Sequence, residues 1–290
     1  MIDESAPWQR LGFKLKLGLR ARAEAEWLPP NDIFGNQFAR AEQIGLKARL
    51  LAKHHQDVFS AMANTDMAGG EVLAMVCQHL TTYHNNHTHN DCIAPSDAGL
   101  HPLDMAARLV PEDLLLLAPV PDAVANDKTA VKWHLVAASL CFPAHWVLAK
   151  KMGKPLAAIH DPVPHYDERL AGPVDRFFDK MKVGPISSRM NWSLQIGNDL
   201  FTPHRSERQA AADDLENNQL CLRLENQTLR KLPQTGFVLF TIRTHIEPVS
   251  RWKHTPNAID DLTKMLKDMS AESQSYKGAS LYAGALTKRI

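Results

Sequence analysis

No apolar run in this 290-residue chain reaches the ~18 residues that a membrane-crossing helix needs. The N-terminal MIDESAPWQR has no basic stretch leading into an apolar one, so no secretory leader is read there and a cytoplasmic protein is expected. An excess of one charge is missing too. The 33 basic side chains face 32 acidic ones, which argues against the cationic footprint of a nucleic-acid binder. Cysteine is scarce. Cys77, Cys92, Cys141 and Cys221 stand far apart with no CxxC pair, so reduced thiols are expected rather than a disulfide framework. Glycine-rich dinucleotide loops and cysteine-rich cluster motifs are both absent. No internal repeat or low-complexity tract interrupts the chain.

What is present suits a globular protein: 44% of residues are hydrophobic and 22% charged. LGFKLKLGLR (11–20) alternates like a half-buried strand, with Leu11, Phe13, Leu15, Leu17 and Leu19 on one face. Helical stripes run from Asp32 to Lys53 and over 70–82, the first capped by Asn31 or Asp32. Residues 104–118 begin like a helix and end in the apolar run LLLLA. WHLVAASLCF (133–142) reads as a buried strand, and Pro143 is expected to open a short helix that Gly153 closes. Another helix is expected from His165 to Val183, then strands at 190–196, 220–229 and 236–246, then C-terminal helices. Helices first, clustered strands later and short links between them predict an α+β fold with an antiparallel sheet.

Three places carry candidate chemistry. TTYHNNHTHNDC (81–92) holds His84, His87 and His89 in what reads as a loop. It is either a weak metal site, the seed of a metal hydrolase, or simply solvated, because a loop alone does not fix zinc geometry. The late strands each offer a polar face: Arg189, Asn191, Ser193 and Gln195; Arg223, Glu225 and Gln227; Thr241, Arg243 and His245. Those faces are either solvated or the lining of a ligand pocket. In AIHDPVPHY (158–166), two prolines of fixed φ follow His160 closely. A histidine so placed suits an axial metal or haem ligand, or a capping residue.

The run CFPAHWVLAKKMGKPLAAIHDPVPHY, then RMNWSL, then LRLENQTLRKLPQTGFVLFTIRTHIEPV resembles the haem-dependent oxidative N-demethylase alpha-subunit family. Weaker matches upstream extend the resemblance over roughly residues 10–250. It implies a PAS-like antiparallel sheet flanked by helices, read here as one haem-binding domain over 1–290. N-terminal strand and helices would occupy 10–118, a PAS-like core about 130–250, and C-terminal helices 256–290. The implied cofactor is haem b. FMN and an iron–sulfur cluster are expected only on partner reductase subunits, and a small secondary amine such as dimethylamine is the implied substrate, with O2. Carried over, His160 is the expected iron ligand. Arg189, Arg223 and Arg243 are expected at the haem propionates, with Trp192 and Gln227 beside the cofactor. Glu225, Tyr166 and Asn191 are expected around the reacting amine or oxygen. Two positions depart from the family pattern. Asn226 and His145 stand where relatives usually or often carry arginine, and His145 is the alternative iron ligand. A non-catalytic haem sensor or carrier is the alternative function.

Overall fold

The computed structural model describes residues 5–12, 17–31, 39–84, 88, 99–122 and 131–287. Its centre is a sheet of seven antiparallel strands: β1 (Arg20–Arg22), β2 (Phe59–Ala61), β3 (Asp113–Pro121), β4 (Val131–Ser139), β5 (Ile186–Ile196), β6 (Leu220–Lys231) and β7 (Val238–Pro248). Their order across the sheet is β1-β5-β6-β7-β3-β4-β2. The principal helices are α1 (Ala39–Lys53), α2 (Asp66–Tyr83), α3 (Pro102–Leu109), α4 (Leu156–His160), α5 (Gly172–Asp179), α6 (Ala258–Lys267), α7 (Ala271–Lys277) and α8 (Ala279–Leu286). The expected α+β class with an antiparallel sheet is what forms.

Alternation along the strands gives the sheet two faces of different chemistry. One packs Leu115, Leu117, Leu135 and Val238 against Leu156 and Ile159 of α4 and Val174 and Phe178 of α5. The other is covered in two halves. Leu114, Leu116 and Leu239 meet Val72 and Val76 of α2 and Leu103 of α3. Trp192, Leu222 and Leu224 meet Ile259 and Leu262 of α6 and Tyr282 of α8. Between the long strands β6 and β7 the chain turns at Lys231↔Val238. Glu71 of α2 pins that turn, accepting from the Thr235 backbone at 3.2 Å and its hydroxyl at 2.6 Å.

β5 lacks a long outer neighbour, because β1 pairs only with Ile186–Ser188. An open edge presents unmet carbonyls. Here the C-terminal helices supply donors: Lys277 Nζ to Trp192 O at 3.1 Å and Tyr282 Oη to Leu194 O at 2.7 Å. The approach is close. A Cβ on Gly284 of α8 would collide with the Ala210 carbonyl, so the helix can lie against that loop only without a side chain there.

Two local expectations change, and the start of a third falls outside the described residues. Among the described residues of 11–20, only Arg20 belongs to a strand. Leu11 ends a short helix, Pro7–Leu11, Leu17 and Leu19 precede β1, and Phe13 and Leu15 lie outside the described residues. Asp32 and Phe38 also lie outside them, and the helix is seen from Ala39. The helix expected after Pro143 does not form. Ala144 bridges to Thr202, His145 takes a left-handed φ of 57°, and only a single 3-10 turn, Leu148–Lys150, follows.

Candidate functional site

A cavity of about 760 Å³ opens on the sheet face that carries α4. Asn191, Ser193, Glu225, Gln227, Phe240 and Ile242 form its floor. Phe142 to Val147, together with Ile159, His160 and Val163, form its walls. The loop residues Pro203 to Arg205 and the C-terminal Tyr276, Lys277 and Tyr282 complete it. The volume is in the range of small-molecule and cofactor sites. The mix of apolar walls and a few converging polar groups makes this polar face a pocket lining rather than a solvated surface.

His160 is the last residue of α4 and lines this cavity. Its Nδ1 lies 2.8 Å from the Leu156 carbonyl. A carbonyl only accepts, so Nδ1 carries the proton and Nε2 of the neutral ring keeps a bare lone pair. Burial lowers the ring's pKa, and nearby Lys151 and Arg189 lower it further, against the Leu156 hydrogen bond. Behind it, Tyr166 stacks at 4.6 Å between centroids with only 3° between planes. Lys151 Nζ donates to Ile159 O at 2.8 Å, fixing the end of the same helix. A backbone-anchored imidazole with one free nitrogen is how proteins aim metal-binding histidines.

Glu225 is the centre of the floor. Arg223 Nε donates to its Oε1 at 3.1 Å, while Asn191 Nδ2 and Gln227 Nε2 donate to Oε2 at 3.2 and 3.0 Å. Burial pushes the carboxyl up, but the Arg223 charge and these three donors outweigh it and hold Glu225 below its ordinary pKa. A carboxylate of this kind offers about four acceptor sites, and three are filled. Arg223 has no comparable reserve. Besides Glu225 it donates to the Phe142 and Leu200 carbonyls and to Thr244 Oγ1.

The register separates residues that the sequence had grouped. Arg223, Glu225 and Gln227 share a face with Ser193, Asn191 and Arg189. Across β7, however, Glu225 pairs with Thr244, Gln227 with Ile242, and Arg243 with Asn226. Arg243 therefore belongs to the opposite face, where Glu112 meets it at 3.5 Å. Trp192 is there as well, packed in the core, its Nε1 donating to Gly12 O at 3.0 Å. Neither residue is a cavity neighbour. Arg223 positions Glu225, and Tyr166 stacks on His160 without lining the cavity. The substitution Asn226 is on the far face with Arg243 and leaves the cavity untouched.

His145 does line the cavity. Its backbone N–H donates to Thr202 O at 2.8 Å, Nδ1 is buried with no hydrogen-bond partner among the described residues, and burial lowers the ring's pKa. Lys150, Lys151, Arg205 and Lys277 also line it, none of them marked as site residues by the sequence motifs. Lys277 reaches the cavity from a helix that caps a strand edge, a long-range arrangement that leaves no local signal.

The histidine-rich loop lies elsewhere. His87, His89 and Cys92 are outside the described residues. His84 Nε2 is 2.7 Å from Leu28 O, and among the described residues no group of three or more metal-ligating side chains comes together. Cys77, Cys141 and Cys221 are buried free thiols, and burial pushes Cys141 up to about 12 and Cys221 to about 11, as expected of inert thiols. No helix among the described residues is long and apolar enough to cross a membrane.

Comparison with known proteins accords with the motif resemblance. The family model described as haem-dependent oxidative N-demethylase, alpha subunit-like, matches residues 35–287, and the chain belongs to that family.

Proposed function

We propose that the chain binds haem b in this cavity through His160 Nε2 and oxidises the N-methyl group of a small secondary amine such as dimethylamine. O2 is the oxidant. A separate reductase subunit carrying FMN and an iron–sulfur cluster supplies the electrons. The observation that carries the reading is His160: its Nδ1 is tied to Leu156 O beside a cavity that holds a charged carboxylate. The residues fit the cofactor. Phe142, Ile159 and Val163 in the walls and Phe240 and Ile242 in the floor give apolar surfaces for a macrocycle. Of the arginines expected at its propionates, Arg189 alone is neither engaged like Arg223 nor turned away like Arg243.

Bound haem supplies the oxidising chemistry that breaks a C–H bond next to nitrogen. The side chains do the rest. His160 is kept neutral by burial and oriented by its Nδ1–H bond, so Nε2 is ready as a ligand. Glu225, held ionised, receives the ammonium form of the amine at its remaining acceptor position and accepts a hydrogen bond from it. Asn191 and Gln227 turn their NH2 groups to Glu225, which leaves their amide oxygens as further acceptors. Hydroxylation of the methyl group, with the second oxygen atom leaving as water, gives a carbinolamine. It collapses to formaldehyde and the demethylated amine.

The full chain purified from haem-supplied cells should show a Soret band, and His160→Ala should lose it. A wild type without that band overturns the haem reading. A variant that keeps the normal spectrum moves the ligand to His145. Formaldehyde release from dimethylamine, with O2 and a chemical reductant, tests the reaction. A haem protein that releases none is a carrier or sensor instead.

A further inference from the structure

Two hydroxyls in the cavity are unspent. Ser193 lines it from β5, two residues on from Asn191 and on the same face. Tyr276 lines it from α7. Both side chains are half-buried, and neither hydroxyl makes a hydrogen bond among the described residues. Tyr282, the other tyrosine of the lining, has spent its own on Leu194 O at 2.7 Å. Shielded hydroxyls find a partner, so an open one that faces a cavity is matched to what fills it.

Both hydroxyls belong to the Glu225 end. Ser193 pairs across the sheet with Arg223, whose Nε bonds Glu225 Oε1 at 3.1 Å. Tyr276 is held through its backbone, because Arg205 donates to its carbonyl and, at 3.1 Å, to that of Ser275. Burial, and then the charge of Glu225, raise the phenol's pKa against Arg205, so the hydroxyl keeps its proton and can donate it to a hydrogen bond. A plain amine leaves this end half used. Dimethylammonium has N–H donors and no acceptor. The remaining position on Glu225 and the amide oxygens of Asn191 and Gln227 already meet those donors. Two O–H groups then face a ligand that cannot accept from them, which costs free energy once water is displaced. An oxygen on the ligand supplies the missing acceptor. Same-face neighbours on a strand stand about 7 Å apart, a step that a two-carbon tether spans with a hydrogen bond at each end.

We infer that Ser193 and Tyr276 form a hydroxyl-recognising subsite beside Glu225, and that the substrate class is N-methylated amino alcohols with the oxygen two carbons from the nitrogen. The inference rests on the amine-oxidising reading of this cavity and narrows it from plain amines to amines that carry an acceptor.

Titration calorimetry on the full chain, with and without haem, tests the subsite. N-methylethanolamine and N-methylpropylamine are close in size and differ by a hydroxyl in place of a methyl. Wild type should bind the alcohol about tenfold more tightly, the scale of one or two hydrogen bonds. Ser193→Ala and Tyr276→Phe should each remove most of that preference, the loss falling on the alcohol far more than on N-methylpropylamine. Neither hydroxyl has a partner to lose among the described residues, so both variants are expected to fold. In turnover, the variants should raise KM for the alcohol more than they lower kcat. An equal fall in kcat with both amines would assign the hydroxyls to the reaction itself and overturn the substrate class. The same preference in protein that takes up no haem would keep the subsite and remove the cofactor. Amine binding without preference for the alcohol would overturn the subsite and leave the amine reading standing. Binding of neither amine would overturn both.

Discussion

Two buried arginine–carboxylate pairs sit back to back in the same sheet, and only one of them faces a cavity. Arg223 meets Glu225 at 3.1 Å on the cavity face; Arg243 meets Glu112 at 3.5 Å on the other. Both arginines are almost wholly shielded from solvent. The difference is in what surrounds the carboxylates. Glu225 has Asn191 and Gln227 at its second oxygen and lines the cavity. Glu112 is closed in, its Oε2 is without a hydrogen-bond partner among the described residues, and Lys47 Nζ bonds the neighbouring Val110 carbonyl at 3.1 Å. The same ion pair is part of a pocket floor in one place and a clamp between α1, β3 and β7 in the other.

Removing the clamp should have the largest effect. Glu112→Ala removes the carboxylate that faces Arg243 in the core and should cost about 3–5 kcal/mol of folding free energy. Urea denaturation measures it, and a loss within the error of the fit would show that Arg243 finds other support. Ligand binding in the cavity should change little. Glu225→Gln should show the reverse balance. The amide keeps the shape of the carboxylate, cavity solvent softens the loss, and the cost should be about 1–3 kcal/mol. Its main effect should be on the amine, whose affinity falls while any haem spectrum persists. If the variant binds amine as wild type does, Glu225 is not the ammonium receptor.

Why the sequence could not tell these pairs apart is a matter of register. Within a strand, alternation is visible: Arg223, Glu225 and Gln227 share a side, and so do Thr241, Arg243 and His245. Between strands, the matching of sides depends on where the turn after Lys231 returns the chain at Val238. A shift of one residue exchanges every side chain between faces. The sequence therefore shows polar faces, strand order within the hairpin and a rigidly held His160, yet it groups Arg243 with the wrong partners. Lys277 escapes for a related reason. Its helix is legible from the pattern over 271–287, but its docking on the β5 edge is a contact between distant parts of the chain. The failed helix after Pro143 belongs here too, because the bridge from Ala144 to Thr202 overrides local propensity.

The smallest effect concerns the residue next to Glu112. Asp113 points to the cavity side, where its carboxylate accepts from Cys141 N at 2.8 Å and Phe142 N at 3.0 Å. Phe142 O in turn accepts from Arg223, so Asp113 braces the wall that braces the Glu225 partner. Full burial raises the Asp113 pKa to about 6, against Lys47, the two N–H donors and Arg223. Its folded value is thus above its unfolded one, near 3.8. Between these values the folded chain holds a proton that the unfolded chain has released. The contribution to stability is complete below the unfolded pKa and is lost as pH rises through about 6. The slope cannot exceed about 1.4 kcal/mol per pH unit for one group. Denaturation of wild type and Asp113→Asn on both sides of that window should show the wild type losing more stability toward neutral pH. Parallel slopes would mean that Asp113 stays ionised throughout, and that the wall is held by charge alone.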